Sequence, residues 1–163
     1  MKTLLILRHA KSSWDDPAVP DHDRPLTDRG KKDAKRIGQL LTELSLVPDL
    51  IVCSTAKRAR KTANKVAKAC GYGGPIEVNP RLYEAYPGHF IEVLREVDDE
   101  HATVLVVAHN PGLEELLRYL TGQNESLPTA TLAQLTLDID RWQSLSVPPG
   151  GKLAGVWRPK ELA

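Results

Sequence analysis

The chain has 163 residues, the size of one domain, and its 22 basic and 21 acidic side chains leave a formal net charge of +1 at pH 7. That balance gives no global field toward nucleic acid or a membrane, so any affinity for an anion has to be local. No apolar run approaches the ~20 residues of a spanning helix, residues 1–7 are too short for a signal peptide's apolar core, and Cys53 and Cys70 lack metal-ligand spacing. A reducing cytoplasm is the expected setting, without disulfide or zinc.

The first apolar run covers residues 3–7, and Arg8-His9 follows it directly. Residues 15–25 are rich in Asp and Pro and lack periodicity, which predicts a surface loop. Ala34, Ile37, Gly38, Leu41 and Leu44 then recur at helical spacing. A second apolar run, Leu50–Cys53, leads into Ser54-Thr55, and Ala59, Ala63, Val66, Ala67 and Cys70 make a second helical stripe. Phe90, Val93, Leu94 and Val97 make a third. Thr103–Ala108 is the most strand-like segment and ends at His109-Asn110-Pro111-Gly112; Leu113, Leu116, Leu117 and Leu120 form the fourth stripe. Residues 133–137 and 153–157 are expected to add edge strands, separated by a Pro148-Pro149-Gly150-Gly151 turn.

Unbroken apolar runs suit strands covered on both faces. Alternation of such runs with helical stripes predicts one α/β domain over residues 1–163, three layers (α/β/α) around a mostly parallel central sheet. No internal repeat, linker or low-complexity tract interrupts it.

Ligands of open α/β sheets bind beyond the carboxyl ends of the strands. Arg8 and His9 stand after the first run, Ser54 and Arg58 after the second, and His109 after Thr103–Ala108. Any one of them alone has an ordinary structural explanation. Two histidines and two arginines at one sheet end predict an anion site, because the planar guanidinium fork matches phosphate oxygens.

Four segments carry a resemblance. Leu7-Arg8-His9-Ala10-Lys11-Ser12-Ser13-Trp14 resembles the opening signature of the histidine phosphatase superfamily, with Ala10 where Gly is usual. The Ala10-Lys11 continuation is similar to the branch of small bacterial SixA-like phosphohistidine phosphatases. Arg24-Pro25-Leu26-Thr27-Asp28-Arg29-Gly30 resembles the segment that opens the family's first helix. Ser54-Thr55-Ala56-Lys57-Arg58-Ala59-Arg60-Lys61-Thr62-Ala63 resembles its Ser-Pro-x-x-Arg-Ala-x-x-Thr segment, with Thr55 replacing proline. Val107-Ala108-His109-Asn110-Pro111-Gly112 resembles its Gly-His-Asn-Pro segment, with Ala108 replacing glycine.

The resemblance implies a phosphoglycerate mutase-like fold and a hydrolase in which His9 attacks phosphorus while Arg8, Arg58 and His109 hold the phosphoryl oxygens. An attacking imidazole has to be neutral, and two nearby arginines disfavour its protonated form. Arginines and histidines carry the charge stabilisation, so neither a metal nor another cofactor is expected.

The leaving group bears on substrate. An alkoxide needs a proton from the enzyme, and the family's phosphomonoesterases usually supply an Asp or Glu. Glu84, in Leu82-Tyr83-Glu84-Ala85-Tyr86-Pro87-Gly88, falls roughly where that acid comes from a loop. A phosphorylated imidazole leaves neutral once its remote nitrogen is protonated and needs no such acid. His22, His89 and His101 are expected to be bystanders.

No long insertion follows the third motif, which predicts an open pocket suited to a phosphorylated side chain on a signalling or phosphotransfer protein. A phosphomonoesterase or pyrophosphatase for small phosphate esters is the alternative, favoured if Glu84 is catalytic. A non-catalytic phosphoprotein-binding module is the third reading, disfavoured because a binder needs no nucleophile. Without a basic stripe or interleaved aromatics, no nucleic-acid partner is expected.

Overall fold

A computed structural model describes residues 1–146 and 150–162. Six strands form one sheet: β1 (Lys2–Arg8), β2 (Leu50–Cys53), β3 (Ile76–Val78), β4 (Thr103–Ala108), β5 (Leu132–Leu137) and β6 (Gly151–Trp157), in the order β3-β2-β4-β1-β5-β6. β1, β2, β3 and β4 run parallel; β5 is antiparallel to both of its neighbours. Four helices cover the sheet: α1 (Asp28–Glu43), α2 (Lys57–Cys70), α3 (Pro87–Arg95) and α4 (Gly112–Thr121).

The unbroken apolar strands have a direct explanation. Successive side chains of a strand point to opposite faces, and both faces of this sheet are covered. Leu5 and Leu7 of β1 pack with Ala34, Ile37, Ala63 and Val66 of α1 and α2. Leu4 and Ile6 pack with Phe90, Leu94, Leu113 and Leu117 of α3 and α4. The result is three layers with two cores, as the alternation of elements predicts.

Three details differ from the sequence reading. β3 is a half-exposed edge strand of three residues, too short to show a period. β5 is not an edge strand; it lies between β1 and β6 and buries Leu132, Ala133, Leu135 and Leu137. Val97 falls beyond α3, which stops at Arg95, though it still packs against the core. The expected Pro148-Pro149 turn lies outside the described residues. No helix among the described residues is long and apolar enough to cross a membrane.

Parallel pairing is what builds the site. Arg8 is level with Ala108, and Cys53 with Val107, so Arg8-His9, Ser54 and His109 emerge side by side at one sheet edge.

Candidate active site

His9 leaves β1 with its main-chain N–H donated to Ala108 O, 3.0 Å away. Its side-chain Nδ1 donates to Ala10 O at 2.8 Å, which places the ring's lone pair on Nε2. The following N–H, that of Ala10, donates to Thr62 Oγ1 (2.9 Å), and Thr62 donates in turn to Arg58 O at 2.7 Å. The Thr of the Arg-Ala-x-x-Thr segment thus ties α2 to the turn that carries His9. α1 approaches the same turn. Thr27 caps it by accepting from Gly30 N, and a Cβ on Gly30 would lie 2.2 Å from Lys11 O.

His109 lies behind His9, the ring centroids 5.1 Å apart. Ser54 Oγ accepts from Ala56 N–H at 3.2 Å and sits 2.7 Å from His109 Nε2. A hydroxyl both donates and accepts, so this contact fits either tautomer of His109. Both imidazoles are buried. Burial, reinforced by Arg58 and Arg8, pushes His9 down to about 4, against an opposing pull from its bond to Ala10 O. Burial pushes His109 down to about 3, with His9 and Arg58 adding to it. Both rings are therefore neutral at pH 7.

Arg58 reaches Asp21 twice, Nη1 to the main-chain oxygen at 2.6 Å and Nη2 to Oδ2 at 3.1 Å. Asp21 also accepts from Tyr83 Oη (2.6 Å) and Arg24 Nε (3.1 Å). The Tyr83 hydrogen bond, and then Arg58, hold the Asp21 carboxyl down to about 2. Arg8 donates Nη1 to Leu127 O. Among the described residues, four buried side-chain polar atoms have no partner: Arg8 Nε, Arg58 Nε, His109 Nδ1 and Thr131 Oγ1. Buried donors are normally satisfied. Three of these four belong to residues gathered around His9.

Two clefts flank the histidine pair. A larger one of about 750 Å³ is lined by Arg8, His9, Lys11, Trp14, Arg24 and Arg158, among others. A smaller one of about 260 Å³ is lined by Asp21, Arg58, Tyr83, Glu84, His109 and Asn110, among others. Among the described residues no group of three His, Cys, Asp or Glu side chains is placed to hold a metal ion.

The model of the histidine phosphatase superfamily (branch 1) matches residues 4–92. This chain belongs to that superfamily. An uncharacterised chloroplastic protein of Arabidopsis thaliana is 35% identical over 97% of this chain and 78% of its own length. A putative phosphohistidine phosphatase SixA from Agrobacterium tumefaciens is 28% identical, covering 97% of this chain and 98% of that one, with a TM-score of 0.83. The protein histidine phosphatase SixA complexed with tungstate is 25% identical over 99% of both chains, with a TM-score of 0.85. The fold is phosphoglycerate mutase-like, and membership of the superfamily together with the SixA-like neighbours supports phosphatase activity.

Arg8, His9, Arg58 and His109 are brought together at one sheet edge. Glu84 lines the smaller cleft with an exposed side chain and a left-handed backbone (φ 55°), and its side chain makes no hydrogen bond among the described residues. Its loop is pinned at Ala85, whose carbonyl oxygen would lie 2.3 Å from a Cβ on Gly112. His89 is structural, accepting from Tyr86 N to cap α3. His22 stands closer to the site than expected: Nε2 is 2.9 Å from Thr55 Oγ1, and the ring meets Tyr83 edge-on. Proline, the superfamily's usual residue at position 55, offers no such hydroxyl. Asp21, Arg24 and Tyr83 are site residues that the sequence did not single out. Arg24 lay within the resembling segment, but Asp21 and Tyr83 had only loop composition around them.

Proposed function

We propose that the chain dephosphorylates phosphohistidine on another protein, with His9 as nucleophile and a phosphohistidine intermediate. One observation carries the catalytic reading: the buried donors Arg8 Nε and Arg58 Nε and the buried ring nitrogen His109 Nδ1 have no protein partners among the described residues, and they cluster beside an imidazole whose Nδ1 bond to Ala10 O leaves the lone pair on Nε2. A phosphoryl group carries charge on three equatorial oxygens throughout transfer. Preorganised donors in a water-poor site stabilise that charge best.

In the first step His9 Nε2 forms a bond to phosphorus, and the phosphorus–nitrogen bond of the substrate breaks. The electron pair passes to the leaving imidazole, which departs neutral because its remote nitrogen is already protonated. In the second step water attacks phosphorus, the bond to Nε2 breaks, and inorganic phosphate leaves with His9 restored. The hydrogen bond from Nδ1 to Ala10 O spreads the positive charge that the ring carries between the two steps.

The substrate reading rests on three supports. Similar structures include a putative phosphohistidine phosphatase SixA and the protein histidine phosphatase SixA, the clefts are open at the surface, and Glu84, unlike Asp21 in the same cleft, is unanchored. The test is turnover of a phosphohistidine protein beside p-nitrophenyl phosphate and an alkyl phosphate, with quenching in alkaline detergent to trap phosphoenzyme. Wild type should yield an acid-labile phosphoenzyme and prefer the phosphohistidine protein; a folded His9→Ala should yield neither turnover nor phosphoenzyme. Activity retained in His9→Ala would end the mechanism, and preference for the alkyl phosphate would move the substrate to small metabolites.

A further inference from the structure

Net charge near zero conceals a strong asymmetry. Residues 28–70 hold eleven of the 22 basic side chains and four of the 21 acidic ones, so this segment carries +7 and the rest of the chain −6. α2 contains Lys57, Arg58, Arg60, Lys61, Lys65 and Lys68 and no acid at all. α1 lies beside it, close enough that a Cβ on Gly38 would be 2.5 Å from Ala69 Cβ. Between the two helices runs a groove of about 460 Å³ lined by Lys31, Lys32, Lys35, Lys65, Lys68 and Ala69. Read along the chain, no basic stripe is visible; the helix pair makes one.

These lysines are exposed, and none of them forms an ion pair among the described residues, whereas Arg29, Arg36 and Arg58 of the same helices each pair with a carboxylate. Lys31 with Lys35, Lys57 with Lys61 and Lys61 with Lys65 are four residues apart, where like charges repel and weaken the helix. A partner carrying acidic side chains would neutralise this row.

The position of the face selects the partner. Both helices rise from the catalytic end: Arg58 is the second residue of α2, and Gly30 of α1 rests on Lys11. Lys68 stands eleven residues beyond Lys57, roughly 16 Å along the axis at ~1.5 Å per residue. A protein partner typically covers about 800 Å² on each side, enough for one that offers a side chain to His9 to extend onto this face. A small ester does not reach it. Lysine is a hydrated point charge suited to steering a transient encounter. The groove also lacks the aromatic side chains on which single-stranded nucleic acid stacks. Resting on the phosphoprotein reading above, we infer that the α1–α2 lysine face is the docking surface for the acidic flank of the phosphorylated protein substrate.

The test compares wild type with Lys35→Glu/Lys65→Glu/Lys68→Glu and with the corresponding triple alanine variant, checking folding by thermal melting. The probes are an acidic phosphotransfer domain phosphorylated on histidine, p-nitrophenyl phosphate, and a labelled DNA duplex. The charge-reversed protein should lose at least tenfold in kcat/KM on the phosphotransfer domain, mainly through KM, and lose the salt dependence of that rate. The alanine variant should fall between, and all three proteins should hydrolyse p-nitrophenyl phosphate within twofold of each other. Unchanged kcat/KM on the phosphotransfer domain overturns the docking surface while leaving the substrate reading intact. A wild type that cleaves p-nitrophenyl phosphate but not the phosphotransfer domain overturns the substrate reading, and the docking inference with it. Duplex binding that the reversal abolishes, with phosphoprotein kinetics unaltered, overturns the inference in favour of nucleic acid.

Discussion

Both Nη atoms of Arg58 end on Asp21, one on its main-chain oxygen and one on its carboxylate. The guanidinium is thereby held by its outer edge while Nε stays without a partner. Asp21 in turn is fixed by Tyr83 and Arg24, so a surface loop sets the orientation of the buried Arg58 guanidinium.

Asp21→Ala should therefore impair catalysis without touching the nucleophile. Loss of positioning by about an ångström costs on the order of 10²-fold, and a loss of that size in kcat/KM on p-nitrophenyl phosphate is expected. Tungstate inhibition should weaken in parallel, while the phosphoenzyme on His9 remains trappable. Kinetics within threefold of wild type would show that Arg58 holds its place unaided.

The pH dependence follows from the two imidazoles. His9 near 4 stays neutral well below the ordinary imidazole value of 6.5, so the acid limb of kcat/KM should lie near pH 4. A limb centred at 6.5 would mean that His9 is solvated in the free enzyme. Stability obeys the same shifts. With His9 near 4 and His109 near 3, the unfolded chain binds more protons than the folded one between about pH 6.5 and 3. Stability is therefore lost as pH falls through that window. Asp21, depressed to about 2, acts in the same direction only below the ordinary carboxylate range. Tm should fall progressively below pH 6.5, and a folded His109→Asn should show a flatter profile.

Glu84→Gln separates the two leaving-group classes. Hydrolysis of phosphohistidine should be within about twofold of wild type, because a neutral imidazole leaves unaided. An alkyl phosphate should lose far more if Glu84 delivers a proton, with general acid catalysis typically contributing 10²–10⁴-fold. The ratio of the two losses in kcat/KM on one variant is the measured quantity. Equal, negligible losses would make Glu84 an ordinary surface carboxylate.

Gly30→Ala should destabilise the fold and the site together. The added methyl would meet Lys11 O at 2.2 Å, and overpacking of this kind costs about 1–3 kcal/mol. A lower urea midpoint with an unchanged slope is expected, with reduced kcat as the turn after His9 shifts. Unaltered stability would mean that α1 can move away from Lys11.

Layer order, the faces of the helices and the convergence of four residues of the candidate site were legible in the sequence, because each depends on a local pattern. Unbroken apolar runs mark strands covered on both sides, 3.6-residue stripes mark helices against them, and residues just past parallel strands meet at one edge whatever lies between. Arg8, His9, Arg58 and His109 follow from that rule. Asp21 and Tyr83 do not, being 62 residues apart in loops without periodicity and joined only by a side-chain hydrogen bond. The interior place of β5 depends on which strand edge it pairs with, a choice that composition leaves open. The lysine face arises because α1 and α2 pack side by side, so charges some thirty residues apart in the chain add into one field. Local patterns specify elements and strand ends; only the packing of those elements decides which distant side chains meet.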